Sequence, residues 1–195
     1  MVSGMALKLG LVEGLLVHEL SHIHRTSKNH PSHNNELLNR VVHDVIQKSR
    51  ITEDYQLGII RQAVNHIQDL YADDTAFKVF RDVKLLMPDQ IFDFFLSWIK
   101  DKPADSKNTK IKWLNMSIML NNCFAISNMM RHGVRDVDNR AEKAIERFLS
   151  RADDPMKKDF AHFKDLMMNL KEDTTEKEFE KDLTEYLTRI LEAVK

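Results

Sequence analysis

Apolar residues recur three and four positions apart along most of this chain, the spacing of helices that bury one face, and no segment predicts a β-strand. The first predicted helix runs from about Met5 to His24, with Gly10 and Gly14 letting a neighbour pack closely. Arg25 to Asn34 loses the periodicity and contains Pro31, so it reads as a loop. A second helix follows, with Leu37, Leu38, Val41, Val42, Val45 and Ile46 on one face. Thr52 is placed to cap a third, because its hydroxyl can accept from a free backbone N–H in the first turn. That helix continues through Ile59, Ile60, Ala63, Val64, Ile67, Leu70 and Tyr71 towards Phe80. Pro88 suits the first turn of a fourth, Asp89 to Lys100.

Asp101 to Asn108 is the most linker-like segment and holds the one candidate boundary. Beyond it lie four more helical patterns, about Thr109–His132, Val137–Arg151, Pro155–Leu170 and Thr175–Val194. Asp173 with Glu176 has capping-box spacing. The expected architecture is therefore all-α. A helical unit over residues 1–101 packs against a C-terminal helical bundle over 102–195, or the two form one continuous domain.

Composition changes this picture little. The 195 residues are 43% hydrophobic and 30% charged, which suits an ordinary globular chain with a substantial core. A net charge of −1 gives no argument for nucleic-acid or membrane attraction. Ala6 to Val17 is fairly apolar, but Lys8 and Glu13 interrupt it and no small-residue cleavage site follows, so no signal peptide is expected. No stretch approaches the roughly 20 apolar residues of a membrane span. Cys123 is the only cysteine, so no intrachain disulfide can form. These observations point to a soluble, cytoplasmic protein.

Six of the nine histidines fall between His18 and His43, and two frame the motif His18-Glu19-Leu20-Ser21-His22. On a helix that HExxH spacing puts His18 and His22 one turn apart on one face. Two imidazoles so placed can reach one tetrahedral Zn2+, with Zn–N of about 2.0–2.1 Å. Glu19 projects beside them, placed to take a proton from water at the metal rather than to bind it. Leu11, Leu15, Leu16, Leu20 and Ile23 give the helix an apolar body expected to bury the site.

Hydrolysis at zinc usually requires three protein ligands and an open position. The metzincin pattern would place glycine at position 25 and histidine at position 28; Arg25 and Lys28 exclude it. Downstream, Asp69-Leu70-Tyr71-Ala72-Asp73-Asp74-Thr75-Ala76 follows in the third helix. With the HExxH motif it resembles the gluzincin pattern HExxH…ExxAD of the heat-shock membrane proteases and CAAX-prenyl proteases. The resemblance covers about sixty residues and implies a zincin-like helical core and zinc-dependent hydrolysis of a peptide or protein substrate. It implies that Asp69 takes the third-ligand position, Asp73 the position that orients a ligand histidine, and Ala72 and Ala76 those of the small residues. Asp69 and Asp73 also lie one turn apart on one face, so the set is coherent in helical geometry alone. Aspartate is a methylene shorter than glutamate. The two helices must then approach more closely, or Asp73 or Asp74 is the third ligand.

The chain departs from those peptidases in its start. They carry a β-sheet before the motif whose edge aligns the substrate backbone, whereas the seventeen residues ahead of His18 look helical. Either residues upstream of Met1 are missing, or the substrate is held another way, or the site no longer cleaves peptides. Two rivals therefore stand beside a catalytic zinc site with Glu19 as base. One is a non-catalytic zinc-binding helical module that regulates or binds a partner. The other is a helical interaction protein with an accidental HExxH.

Of the other histidines, His30 and His33 in the HPSH loop could overhang the metal and donate to an oxyanion, although an exposed polar turn is the simpler expectation. His66, one turn before Asp69, is expected in the core or at the surface rather than behind the ligands. His24, His43, His132 and His162 carry no predicted role. Met116, Met119, Met129 and Met130, with Cys123 and Phe124, read as an irregular helical core. The Glu- and Lys-rich run from Lys171 to Glu185 reads as a solvated helix face.

Overall fold

A 30-residue helix, Asp54–Val83, forms the axis of the molecule in a computed structural model that describes residues 11–49, 51–104 and 108–195. At about 1.5 Å per residue it is about 45 Å long. Buried residues from Ile60 to Phe80 emerge on all its sides, as a helix enclosed by others requires. In chain order the helices are α1 Val12–Ser27, α2 Asn35–Gln47, α3 Asp54–Val83, α4 Pro88–Trp98, α5 Thr109–Arg131, α6 Arg140–Ser150, α7 Asp154–Asn169 and α8 Glu176–Ala193. One 3-10 turn, Pro31–His33, lies between α1 and α2, and no strand occurs among the described residues. The all-α expectation is met.

α1, α5 and α8 pack on α3; α4 and α7 pack on α5, and α2 packs on α8. The hydrophobic cluster runs through both sides of the segment around residue 104. Leu37, Ile60, Leu70 and Tyr71 precede it, and Leu120, Phe148, Phe163 and Tyr186 follow. Met116, Met119 and Met129 fill this core as expected, whereas Met130 is exposed. Cys123 is fully buried, and burial pushes its thiol pKa well up. No helix among the described residues is long and apolar enough to cross a membrane.

Several local expectations are corrected. The predicted start of the first helix at Met5 lies outside the described residues, and the helix runs on past His24 to Ser27. Thr52 does not cap α3; Glu53 does, in a capping box with Gln56. At α8 the box pairs Thr175 with Glu178, not Asp173 with Glu176. In both cases the helix starts where the side chain three residues on can reach back to the cap's own N–H. The apolar body expected of α1 is largely in solvent, with Leu16, Leu20 and Ile23 52–64% exposed. α1 lies across one side of α3 and buries Leu11, Gly14, Ser21 and Arg25 instead.

Candidate metal centre

The site forms where α1 crosses the middle of α3. Arg25, 8% exposed, helps fix the crossing: its Nε donates to the Tyr71 carbonyl (2.9 Å) and its guanidinium pairs with Glu172 (3.1 Å). His18 and His22 face α3, where Asp69 and Asp73 stand one turn apart. Nε2 of His18, Nε2 of His22 and Oδ1 of Asp69 are separated by 3.0, 3.3 and 3.7 Å. The edges of a tetrahedron with bonds of about 2.0–2.1 Å are about 3.3–3.4 Å, so these three atoms match one face of a four-coordinate zinc shell. Among the described residues, this is the group of histidine and carboxylate side chains close enough to share an ion.

The sequence left three aspartates as possible third ligands, and each has a different place. Asp69 closes the triad. Asp73 sits behind it, its Oδ1 accepting from Nδ1 of His18 at 2.7 Å while Oδ2 accepts from Asn128. Asp74 points away into a two-bond pair with Arg131, at 2.6 and 2.7 Å. Short as it is, the Asp69 side chain comes near both imidazoles because the helices cross closely.

The HPSH loop is not an exposed turn. α1 ends in a Schellman motif: Asn29 adopts φ 52°, its N–H donates to the Thr26 carbonyl, and the His30 N–H donates to Arg25. Pro31 then starts the 3-10 turn, which buries Ser32 and His33, and Asn34 caps α2 by accepting from the N–H groups of Glu36 and Leu37. Neither histidine overhangs the triad; both stand behind it.

This loop makes a chain of hydrogen bonds whose direction is set at its far end. The Glu172 carbonyl can only accept, so Nε2 of His30 donates to it at 2.9 Å. Nδ1 of His30 then accepts, from the Ser32 N–H (3.3 Å) and the Ser32 hydroxyl (2.8 Å). The hydroxyl in turn accepts from Nδ1 of His33 at 2.7 Å, which leaves Nε2 of His33 to accept from Nδ1 of His22 at 2.8 Å. Nε2 of His22 therefore carries a lone pair, and so does Nε2 of His18, whose Nδ1 donates to Asp73. Two unprotonated Nε2 atoms 3.0 Å apart beside a carboxylate repel one another, and a cation shared by all three relieves that repulsion.

A proton can serve when no metal is bound. Burial disfavours a charge on His18, but the hydrogen bond and charge of Asp73, with Asp69 and Glu19, outweigh it and hold the imidazole up at about 9. His33 is pushed the other way, to about 3, by burial and by the positive fields of His22, His30 and Arg25. Burial also lowers His66 and His132 to about 4. In the unfolded chain all four titrate near 6.5. Between about 4 and 6.5 the unfolded state binds more protons at His66 and His132, so stability rises with pH; between 6.5 and 9 the folded state binds more at His18, so it falls. Metal-free protein is thus expected to be most stable near pH 6–7. Thermal unfolding in a chelator across pH 4.5–9.5 checks this. A midpoint that stays level from pH 6.5 to 9 would remove the His18–Asp73 ion pair from the account.

The remaining histidines take the places expected of them. His66 is 2% exposed and stacks on Phe124 at 4.8 Å, so it is a core residue rather than a support for the ligands. His132 stacks on Phe77 at 4.0 Å, and His24 and His43 are exposed. Glu19 is exposed and borders the same cavity as His18, His22 and Asp69. The helical phase of HExxH could reveal His18 and His22, and the second motif Asp69. No periodic signal marks Ser32, His33 or Asn128, which reach the site through a turn and a distant helix.

No curated protein and no solved structure matches the chain significantly. A family model does, over residues 1–191: the chain belongs to the group described as "Family of unknown function (DUF5781)".

Proposed function

We propose that this protein is a zinc-dependent hydrolase of metallopeptidase type, acting on a peptide or protein substrate in the cytoplasm. The observation that carries the reading is the convergence of two imidazole Nε2 atoms and one Asp69 carboxylate oxygen, at separations of 3.0–3.7 Å that suit one face of a zinc shell. In this reading α1 and α3 are the helical core of a zincin-like site, and His18, His22 and Asp69 hold the metal. Zinc, when bound, supplies a Lewis acid that polarises a carbonyl and makes water easier to deprotonate.

The chain's own groups supply the rest. Glu19, on the cavity side of α1, accepts the proton of the attacking water and returns it to the leaving nitrogen. Asp73, backed by Asn128, holds His18 with Nε2 forward. His33, backed by Ser32 and His30, does the same for His22. Each imidazole is thereby fixed in both rotation and tautomer, so little reorganisation accompanies binding.

The test uses the full chain purified without a histidine tag and a mixed peptide library. Cleavage products are expected by mass spectrometry, lost on treatment with 1,10-phenanthroline and restored by stoichiometric zinc. Zinc at one per chain with no cleavage would overturn the hydrolase reading in favour of a non-catalytic zinc-binding regulatory module.

A further inference from the structure

The triad opens on one side into a cavity of about 740 Å3, within the range of small-molecule pockets. Six aromatic side chains line it: Phe77 and Phe80 from α3, Phe94, Phe95 and Trp98 from α4, and Phe124 from α5. Beyond the site's own residues, Lys100 is the one charged side chain among those lining it. On the opposite side the buried Ser32 and His33 close off the triad. The charge of this one-sided space is thus concentrated at the triad and Glu19, and away from them the aromatic wall is interrupted by Lys100 and the neutral polar Asn65, Gln68, Ser97 and Asn121.

Gly14 makes the junction between cavity and triad. Positions 14, 18 and 22 are successive turns of one α1 face, so a side chain at 14 would project beside His18. A Cβ there would stand 2.6 Å from Cδ1 of Leu86, which also lines the cavity. The absence of a side chain lets Leu86 close the wall while the space remains continuous up to the ligand atoms.

We propose that this cavity is a recognition pocket for an uncharged, bulky apolar group, aromatic or branched aliphatic, attached next to the carbonyl presented to the triad. The inference rests on the metal-hydrolase reading for its position and on the cavity wall for its chemistry. Substrate is then anchored chiefly by one apolar group. Apolar contacts in such a pocket discriminate by about 10–200-fold per methylene-sized difference, so the length and bulk of that group set specificity.

Two probes separate the pocket from the metal. With the zinc-loaded full chain, 4-phenylbutyrohydroxamic acid is expected to bind at least about tenfold more tightly than acetohydroxamic acid by calorimetry. With metal-free protein, the neutral fluorophore N-phenyl-1-naphthylamine is expected to bind at one site. Gly14→Leu, which fills the junction, is expected to retain zinc yet bind the two hydroxamates equally. Should that variant fail to fold, Phe94→Ser on the α4 wall is expected to cut the difference between them at least about threefold. Equal affinity of both hydroxamates for the wild-type zinc form overturns the pocket and leaves the metal site standing. Binding of the fluorophore without zinc uptake or hydroxamate binding overturns the hydrolase reading, and with it the pocket's placement beside a scissile bond.

Discussion

His18→Ala and His22→Ala each leave a folded chain without stoichiometric zinc, the largest change in metal binding expected of any single substitution here. Each removes one of three ligand atoms and leaves a two-atom set, while the helices that carry them stay packed through Arg25, Leu70 and Tyr71. Asp69→Ala also weakens zinc strongly, because its carboxylate is the negative charge facing the two Nε2 atoms. Asp73→Ala and His33→Leu act one step back and lower affinity by about 10–100-fold. Elemental analysis gives the content, chelator competition the affinities, and circular dichroism confirms the helices. Stoichiometric zinc in the His18→Ala/His22→Ala double variant would place the metal elsewhere. Loss with Asp73→Ala but not Asp69→Ala would move the third ligand one turn along α3.

Glu19→Gln is expected to abolish hydrolysis while zinc content and thermal stability stay near wild type. The side chain is exposed and bonds to none of the residues that build the site, so its replacement disturbs neither packing nor the ligand set. The amide keeps its size and reach but cannot accept the proton of the attacking water. Loss of a general base alone costs about 10²–10⁴ in rate. Glu19 also contributes to the field that favours a proton on His18. Its neutralisation is therefore expected to lower the His18 pKa, which NMR titration of the metal-free protein reads independently of turnover. Cleavage by Glu19→Gln at the wild-type rate would exclude Glu19 as the base even with zinc in place.

The two supports behind the imidazoles differ in what holds them. Asp73 is tied within the α3–α5 layer through Asn128. The His33–Ser32–His30 chain ends on Glu172, between α7 and α8, where Arg25 and Lys78 also converge. Residues 150 positions apart thus set the orientation of one imidazole, that of His22.

Much was legible from local pattern. Helical spacing placed seven of the eight described helices within a few residues, and the end of the first likewise, because an amphipathic helix shows its buried face in its own sequence. The same periodicity put His18 and His22 on one face, and Asp69 and Asp73 on another. What it lacked was the direction of each face. The apolar side of α1 read as core, yet Leu16, Leu20 and Ile23 lie in solvent and the buried side is Gly14, Ser21 and Arg25. A side chain's period does not tell which side of its helix the neighbour occupies.

By itself, then, the sequence determined the helices and two pairs of potential ligands, since both depend on the 100° turn between successive residues. Only the tertiary structure separated Asp69, Asp73 and Asp74 by what each touches, for that depends on how closely α1 crosses α3 and on Arg131 claiming Asp74. It also turned the HPSH loop from a surface turn into the support of His22. The partners of that support, Tyr71 and Glu172, come near only when α3 and the α7–α8 connection pack around it. Hydrogen-bond direction is a property of a closed chain of donors and acceptors, and no stretch of sequence contains both of its ends.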